Sequence, residues 1–514
     1  MTRYDAIVVG SGPNGLSAAI TLAERGRAVL VLEAAPHLGG AMLTEELTLP
    51  GFRHDTFSSV YPSGAASPVF ARMPLARYGL RWVEPPVAMA HPFLDGRAAA
   101  LYHDLYQTVV TLDRLTPGVG QAWRAFIAPY LKHEAAVRQT LLSGFPPIAG
   151  SVRLLAGLRI EGSLEFARLL LLSAEAFSAE RFSGDAVPAW LYGAAMHADV
   201  PPWEAGSAIA AFYLLILGHL VGWPSPAGGA GSLAAALTGY LTHLGGETRT
   251  GTAVTRLLVE HGRIMGAVTE AGETFHAPIV VGDLTPHGLI RLAGHALPAS
   301  YVARLARYRY GPPTFKLDWA LDGPAPWTAM AARSAGTVHV GGSTTELTAG
   351  LIQQRAGILP ERPFLLFGQQ SLTDLTRAPA GKQTAWAYTH VPRGVNWQEE
   401  TARFAERIEA QVERFAPGFR DRILARHVIT PPDFTARNQS LIGGDVGGGS
   451  SALDQLIFRP IPTLSPYRTP IRGLYLGSAS TFPGAGVNGI AGAAAARCAL
   501  RDRGTPGFRS HSLR

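Results

Sequence analysis

The chain has 514 residues, 47% of them hydrophobic and 16% charged, which calls for more than one packed core and a large apolar interior. Its formal net charge of +7 rests almost wholly on arginine, since Lys132, Lys316 and Lys382 are the only lysines and no run of five basic residues occurs; this diffuse balance gives no footprint for nucleic acid. A single cysteine, Cys498, excludes internal disulfides and thiolate metal sites, and no His/Asp/Glu cluster has metal-ligand spacing, so the expectations are no metal and a reducing compartment.

Tyr4–Gly10 (YDAIVVG) is a short β-branched run ending in glycine and predicts a buried parallel strand. It begins at once, without the charged region and apolar core of a secretory signal, which points to the cytoplasm. Pro13 to Glu24 predicts a helix closed by Gly26, and Arg27–Glu33 (RAVLVLE) a second buried strand. Gly10-x-Gly12-x-x-Gly15 therefore sits in the strand–turn–helix setting of a dinucleotide cradle. Gly10 allows the tight turn, Gly12 the approach of a pyrophosphate, and Gly15 close helix–strand packing. Glu33 ends the second strand, where a carboxylate takes ribose hydroxyls and disfavours a 2′-phosphate. A second glycine pair, Gly39-Gly40, follows in AAPHLGGAM. Spacing alone leaves FAD and NAD open.

Beyond about residue 75 the pattern changes. TLLSGFPPIAGSVRLLAGLRI and LEFARLLLLSAEAFSAERF carry broad apolar stripes and predict helices. Residues 206–223 (GSAIAAFYLLILGHLVGW) hold no formal charge, yet His219, two glycines and the Pro224-Ser225-Pro226 turn favour a buried helix over a membrane span. Trp203, Phe212, Tyr213 and Trp223 are either core or the lining of a lipophilic channel. PTFKLDWALDGP and GTVHVGG alternate like sheet, and EETARFAERIEAQVERFAPGF predicts an amphipathic helix. Lys316 and Asp318 share one face of their strand and read as a salt bridge. His197, His219 and His427 lie in apolar settings and read as core histidines. GGDVGGGSSALDQ (443–455) is a gate or a surface loop. PGAGVNG opens an Ala-rich helix over 488–500, and RDRGTPGFRSHSLR reads as a loose basic tail. No internal repeat occurs.

Three stretches together resemble the FAD-dependent amine oxidase superfamily. They are VVGSGPNGLSAAITLAERGRAVLVLEAAPHLGGAMLTEE, GWPSPAGGAGSLAAALTGYLTHLGGETRTGTAVTRLLVE (222–260) and GLYLGSASTFPGAGVNGIAGAAAARCAL (473–500). The likeness is greatest to its phytoene desaturase and carotenoid isomerase branch, with its pyridine nucleotide-disulphide oxidoreductase domain 2-like members. The resemblance implies FAD as cofactor. It puts Gly10, Gly12, Pro13, Asn14 and Gly15 at the pyrophosphate, Glu33 and Ala34 at the adenosine ribose, and Gly39, Gly40 and Ala41 along the path toward the flavin. Val254 would meet adenine through its backbone, and Gly477, Ser478, Gly484, Gly486, Val487 and Asn488 would meet the flavin side. Ala41 and Ser478 stand where many relatives carry an arginine and an acid.

The implied fold is an α/β mix. A Rossmann-like FAD-binding domain of the glutathione-reductase/p-hydroxybenzoate-hydroxylase type is built from 1–75, 225–300 and 435–514. A mixed-sheet and helical substrate domain is inserted as 76–224 and 301–434, with 140–224 a helical, membrane-facing part. The implied activity is desaturation or redox isomerisation of a long hydrophobic, carotenoid- or isoprenoid-like molecule by hydride transfer to flavin N5, with oxygen or a quinone as acceptor. The expected partners are that lipophilic substrate and, peripherally, the inner face of a membrane, with no nucleic acid. His54, Asp55 and Lys316 are the candidate acid/base groups, weighed against purely structural pairing. The alternatives are an oxidase of a smaller amine and a non-catalytic lipid-binding protein on the same scaffold.

Overall fold

The computed structural model describes residues 4–504. Ala6–Val9 (β1), Pro13–Ala23 (α1) and Val29–Leu32 (β2) form the opening unit. Val87–Pro92 (β3) and Ala98–Leu101 (β4) follow, and then a helical region that includes Ile148–Leu171 (α2), Ala186–Met196 (α3) and Ser207–Val221 (α4). The chain returns through Ala230–His243 (α5), Glu247–Arg249 (β5) and, after a three-stranded meander, Val280–Gly282 (β6). It leaves again for Thr314–Leu321 (β7), Ala335–Val340 (β8), Leu365–Gly368 (β9), Gln383–His390 (β10), Trp397–Phe415 (α6) and Ile423–Ile429 (β11). Leu474–Leu476 (β12) and Ile490–Gly504 (α7) close it. Of the expected basic tail, Arg501–Gly504 continue α7, and 505–514 lie outside the described residues.

Two sheets organise the molecule. The first is all parallel, in the order β12–β6–β1–β2–β5, so strands far apart in sequence lie side by side. Its central strands β1 and β2 are apolar at every position because both faces are covered, whereas the edge strand β5 (Glu247–Arg249) is polar and largely exposed. Val8 and Val31 point into the core beneath α1, α5 and α7, whereas Ile7, Val9, Leu30 and Leu32 point into the core under the meander. The close fit of α1 on α7 needs small residues, and a Cβ on Gly492 would meet the Asn14 carbonyl oxygen at 1.8 Å.

The second sheet is mixed, in the order β11–β7–β10–β9–β8–β3–β4, with only β3 and β8 parallel. Alternation decides its two faces. Phe315, Leu317, Trp319 and Leu321 of β7 enter the core shared with Phe404, Ile408, Val412 and Phe415 of α6. Thr314, Lys316 and Asp318 take the opposite face. The same holds in β10, where Ala385 and Ala387 join that core while Trp386, Tyr388 and His390 do not.

The uncharged stretch around 206–223 forms α4, a buried helix in the helical layer. Its 15 residues reach about 22 Å at 1.5 Å per residue, short of a bilayer core, and among the described residues no helix is long and apolar enough to cross a membrane. The apolar run after Ser151 forms one helix, α2, broken at Arg159, whose φ of 61° is non-helical.

Candidate functional site

The three glycine-rich blocks converge at the ends of β1, β2, β6 and β12. Gly12 caps α1 with extended backbone and Pro13 occupies its first turn, leaving the N-terminal amides of α1 directed into the crease. Gly15 admits no side chain, since a Cβ there would lie 2.0 Å from the Gly10 carbonyl oxygen. The Glu33 carboxylate accepts from the Ser11 amide at 2.7 Å, the Ser11 hydroxyl at 2.6 Å and the Ala35 amide at 2.9 Å. Ala34 beside it is exposed. Gly39 donates to Ser11 Oγ at 3.1 Å, and Gly40 packs on the Gly12 Cα. Ala41 is held through its carbonyl, which accepts from Ser58 Oγ at 2.8 Å. The Thr252 amide donates to the Glu33 carbonyl at 2.8 Å, carrying the start of the meander and Val254 alongside β2.

The C-terminal block arrives from the other side. Gly477 donates to the Gly282 carbonyl at 2.9 Å, and Ser478 Oγ to the Leu284 carbonyl at 2.7 Å. The hydroxyl of Ser478, standing where relatives carry an acid, is thus spent within the protein. Gly484 lies over the guanidinium of Arg459, and Val487 presents its carbonyl to Gly64. Asn488 accepts from the Ile490 amide at 3.0 Å through Oδ1, while its buried Nδ2 has no partner. A Cβ on Gly486 would fall 3.3 Å from that Nδ2 and 3.2 Å from Ser63 Oγ. The Gly492 amide reaches Asn14 Oδ1 at 3.4 Å, tying the first block to the last. A side-chain-free crease, the N-terminus of α1 and an orphaned buried amide group fit the donor set that a bound dinucleotide requires.

A cavity of about 560 Å³ opens from the Ala485–Val487 turn. Most of its wall is apolar, from Phe166 and Leu170 of α2 through Ile209 and Leu214 of α4 to Phe434 and Phe482. Tyr213 and Trp223 line it, whereas Phe212 packs in the helical core against Tyr130 and Phe126; the aromatics of this region divide between the two expected roles. The loop 443–455 forms part of the same wall, pinned by Arg459, which donates to the Gly449 and Ser450 carbonyls at 3.0 and 2.8 Å.

The candidate acid/base residues meet beneath this cavity. Lys316 lines it, and its Nζ lies 2.5 Å from both oxygens of the buried Asp318 carboxylate. Burial pushes Asp318 upward and Lys316 pulls it back. His54 and Asp55 do not line the cavity. His54 Nε2 bonds Thr48 at 2.7 Å, its Nδ1 lies 3.6 Å from Asp318, and burial followed by the charge of Lys316 depresses the imidazole to about 3. Asp55 is fully engaged, accepting from Thr44, Ser59 and the Ala230 amide at 2.8, 2.6 and 2.8 Å and pairing with buried Arg377 at 2.7 Å.

Two carboxylates here were not singled out from sequence. Asp199 lines the cavity with φ of +59°, a strained value for a non-glycine, and pairs with His390. Burial alone would lower His390, but the Asp199 carboxylate raises it above the usual imidazole value. Asp283, one residue past β6, accepts from the Gly15 amide at 3.0 Å. The positive φ of Asp199 has no sequence signal. An acid at the tip of a central strand, in VVGD, was the available clue to Asp283.

Comparison with known proteins agrees with this geometry. Residues 8–73 match the NAD(P)-binding Rossmann-like domain family. The chain is 27% identical to rat (Rattus norvegicus) pyridine nucleotide-disulfide oxidoreductase domain-containing protein 2, over 97% of this chain and 94% of that protein. It is also 27% identical to the neurosporene-forming phytoene desaturase of Rhodobacter capsulatus, over 95% and 92%. An oxidoreductase structure from Methanosarcina mazei superposes with a TM-score of 0.65 at 16% identity, covering 96% and 99%, a likeness of fold. With its three glycine-rich blocks gathered at one crease, the chain is an FAD-dependent oxidoreductase, similar along nearly its whole length to pyridine nucleotide-disulfide oxidoreductase domain-containing protein 2 and to the phytoene desaturases.

Proposed function

We propose that this protein oxidises a long hydrophobic molecule of the carotenoid or isoprenoid kind, desaturating it or redox-isomerising it. The observation that carries the reading is the 560 Å³, largely apolar cavity that begins at the Gly486–Val487 turn and runs under α2. Relatives named as desaturases of phytoene and all-trans-zeta-carotene favour the same substrate class. Desaturation removes a hydride from one carbon and a proton from its neighbour. Bound FAD supplies the two-electron acceptor for the hydride, and oxygen or a quinone takes the electrons onward.

In this reading Gly10, Gly12, Pro13, Asn14 and Gly15 hold the pyrophosphate, and Glu33 with Ala34 holds the adenosine ribose. Gly39, Gly40, Ala41 and Val254 flank the cofactor, and Gly477, Ser478, Gly484, Gly486, Val487 and Asn488 face the flavin. Residues 1–75, 225–300 and 435–514 then form the cofactor domain, and 76–224 with 301–434 the substrate domain. The cavity's apolar wall excludes water. Asp199, ion-paired with His390, accepts the proton, and Lys316 supplies a fixed positive charge at the wall.

Entry from a membrane surface is part of the proposal. Pro147, the N-cap of α2, and Ser151 in its first turns lie at the cavity lining, and the outer side of that helix leaves Ile160 80%, Leu164 66% and Leu171 66% exposed. The smaller-amine alternative calls for an aromatic cage. Trp386 and Tyr388 line the cavity with ring centroids 6.0 Å apart, but both come from one strand, β10, so they form a pair on one wall rather than a cage closed from two sides.

The test is anaerobic mixing of the yellow protein with detergent-dispersed polyenes and isoprenoids, and separately with di- and monoamines. Bleaching of the flavin band by the lipids alone is the expected result. Bleaching by amines alone, or by neither set, contradicts the proposal.

A further inference from the structure

We propose that Asp283 is a working residue of the cofactor site, holding the pyrophosphate end as a neutral acid, so that FAD binding takes up one proton. The proposal rests on the FAD reading of the glycine-rich crease and adds a group that the motif does not contain. Asp283 Oδ2 accepts the Gly15 amide at 3.0 Å. A Cβ on Gly12 would fall 2.5 Å from that same oxygen, and one on Gly10 would fall 3.3 Å from the Asp283 Cβ. Asp283 therefore sits against all three glycines of the motif, its carboxyl at Gly12 and Gly15 and its Cβ at Gly10, at the end of α1 whose dipole suits a diphosphate.

An ionised carboxylate in that place competes for the Gly15 amide and repels phosphate oxygens. A neutral acid keeps the amide on one oxygen and leaves an O–H on the other to donate to an anion. The surroundings favour the neutral form. Asp283 is half-buried among closely packed backbone, and burial first, with Glu33 across the loop adding to it, pushes its carboxyl up to about 7, while the Gly15 amide opposes. Glu33 is the charged group that faces it. The Gly10–Ser17 segment and the Gly477–Ser478 turn contain no titratable side chain, and His287, in the first turn of the following helix, is exposed.

The sign of the effect follows from linkage. The diphosphate selects the protonated carboxyl, so affinity is highest below the free-state pKa and declines as pH rises through it, by about tenfold in Kd per pH unit. The test is titration of apoprotein with FAD between pH 6 and 9 by flavin fluorescence. Calorimetry at pH 8 in buffers of different ionisation enthalpy counts the protons. Wild-type protein is expected to show Kd flat to about pH 7, rising beyond it, with uptake approaching one proton. Asp283→Asn is expected to bind FAD tightly across the range, with neither slope nor uptake. Tight binding by wild-type protein with a flat profile and no proton uptake overturns the proposal alone, even if the variant fails to fold. A variant that keeps the wild-type slope also overturns it. Absence of FAD binding at every pH overturns the cofactor reading as well.

Discussion

Asp55 illustrates how far single residues could be read in advance. Its position beside His54 marks it as either an acid/base group or a structural one, and its four partners decide for structure: Thr44, Ser59, the Ala230 amide and the Arg377 guanidinium all converge on one carboxylate. Arg377 is 1% exposed; its Nη2 pairs with Asp55, its Nε donates to the Arg53 carbonyl at 3.1 Å and its Nη1 has no partner, so its charge depends on that carboxylate. Asp55→Asn is expected to destabilise the protein by about 3–5 kcal/mol, because it leaves a buried cation uncompensated; urea unfolding followed by far-UV circular dichroism measures it. Arg377 lies hundreds of residues from Asp55, and no local spacing connects the two. The Lys316–Asp318 pair was legible for the opposite reason, since residues two apart on a strand share a face. Asp199 owes its place to tertiary neighbours and to a backbone φ, neither of which leaves a pattern in the chain, whereas Asp283 carried a signal in its position at the tip of a strand.

The elements followed their periodicities where one face or both faces meet a core. The β-branched runs of β1 and β2 are apolar at every position because the parallel sheet is covered on both sides, and TFKLDWAL alternates because only one face of β7 meets α6. The helix α2 obeys a looser rule. Leu154, Phe166 and Leu169 are buried, yet Ile148, Val152, Ile160, Leu164 and Leu171 are exposed, so its apolar residues exceed what its core contact requires. The break at Arg159 also lies in a stretch free of proline, where sequence offers no marker. If this outer face meets lipid, the double variant Ile160→Glu/Leu164→Glu is expected to reduce co-sedimentation with anionic vesicles several-fold. FAD content should be unchanged, since neither residue touches the crease. Equal vesicle binding by variant and wild type contradicts the assignment.

The whole molecule buries an unusual set of neutral histidines. His54 and His197 are depressed to about 3 and His91 and His219 to about 4, each by burial first, and His339 lies well below the ordinary value for the same reason. His197 and His339 meet at 2.7 Å, and His91 bonds the Gly342 carbonyl at 2.7 Å. Unfolded, these groups titrate near 6.5, so between there and their folded values the unfolded state binds more protons. Stability is therefore fully present above about pH 6.5 and lost as pH falls, by about 1.4 kcal/mol per pH unit for each such histidine. A melting temperature that drops steeply from pH 6.5 to 4.5 is the expected scan; a flat one contradicts it. At this scale the fold was the most legible feature, because three separate blocks all carry glycine where backbones must meet. Their meeting at one crease is what the account rests on. Heat-releasing the chromophore of the purified protein and measuring its identity and stoichiometry tests that claim most directly. One FAD per chain is the predicted result, and a colourless protein that takes up no FAD on reconstitution would contradict it.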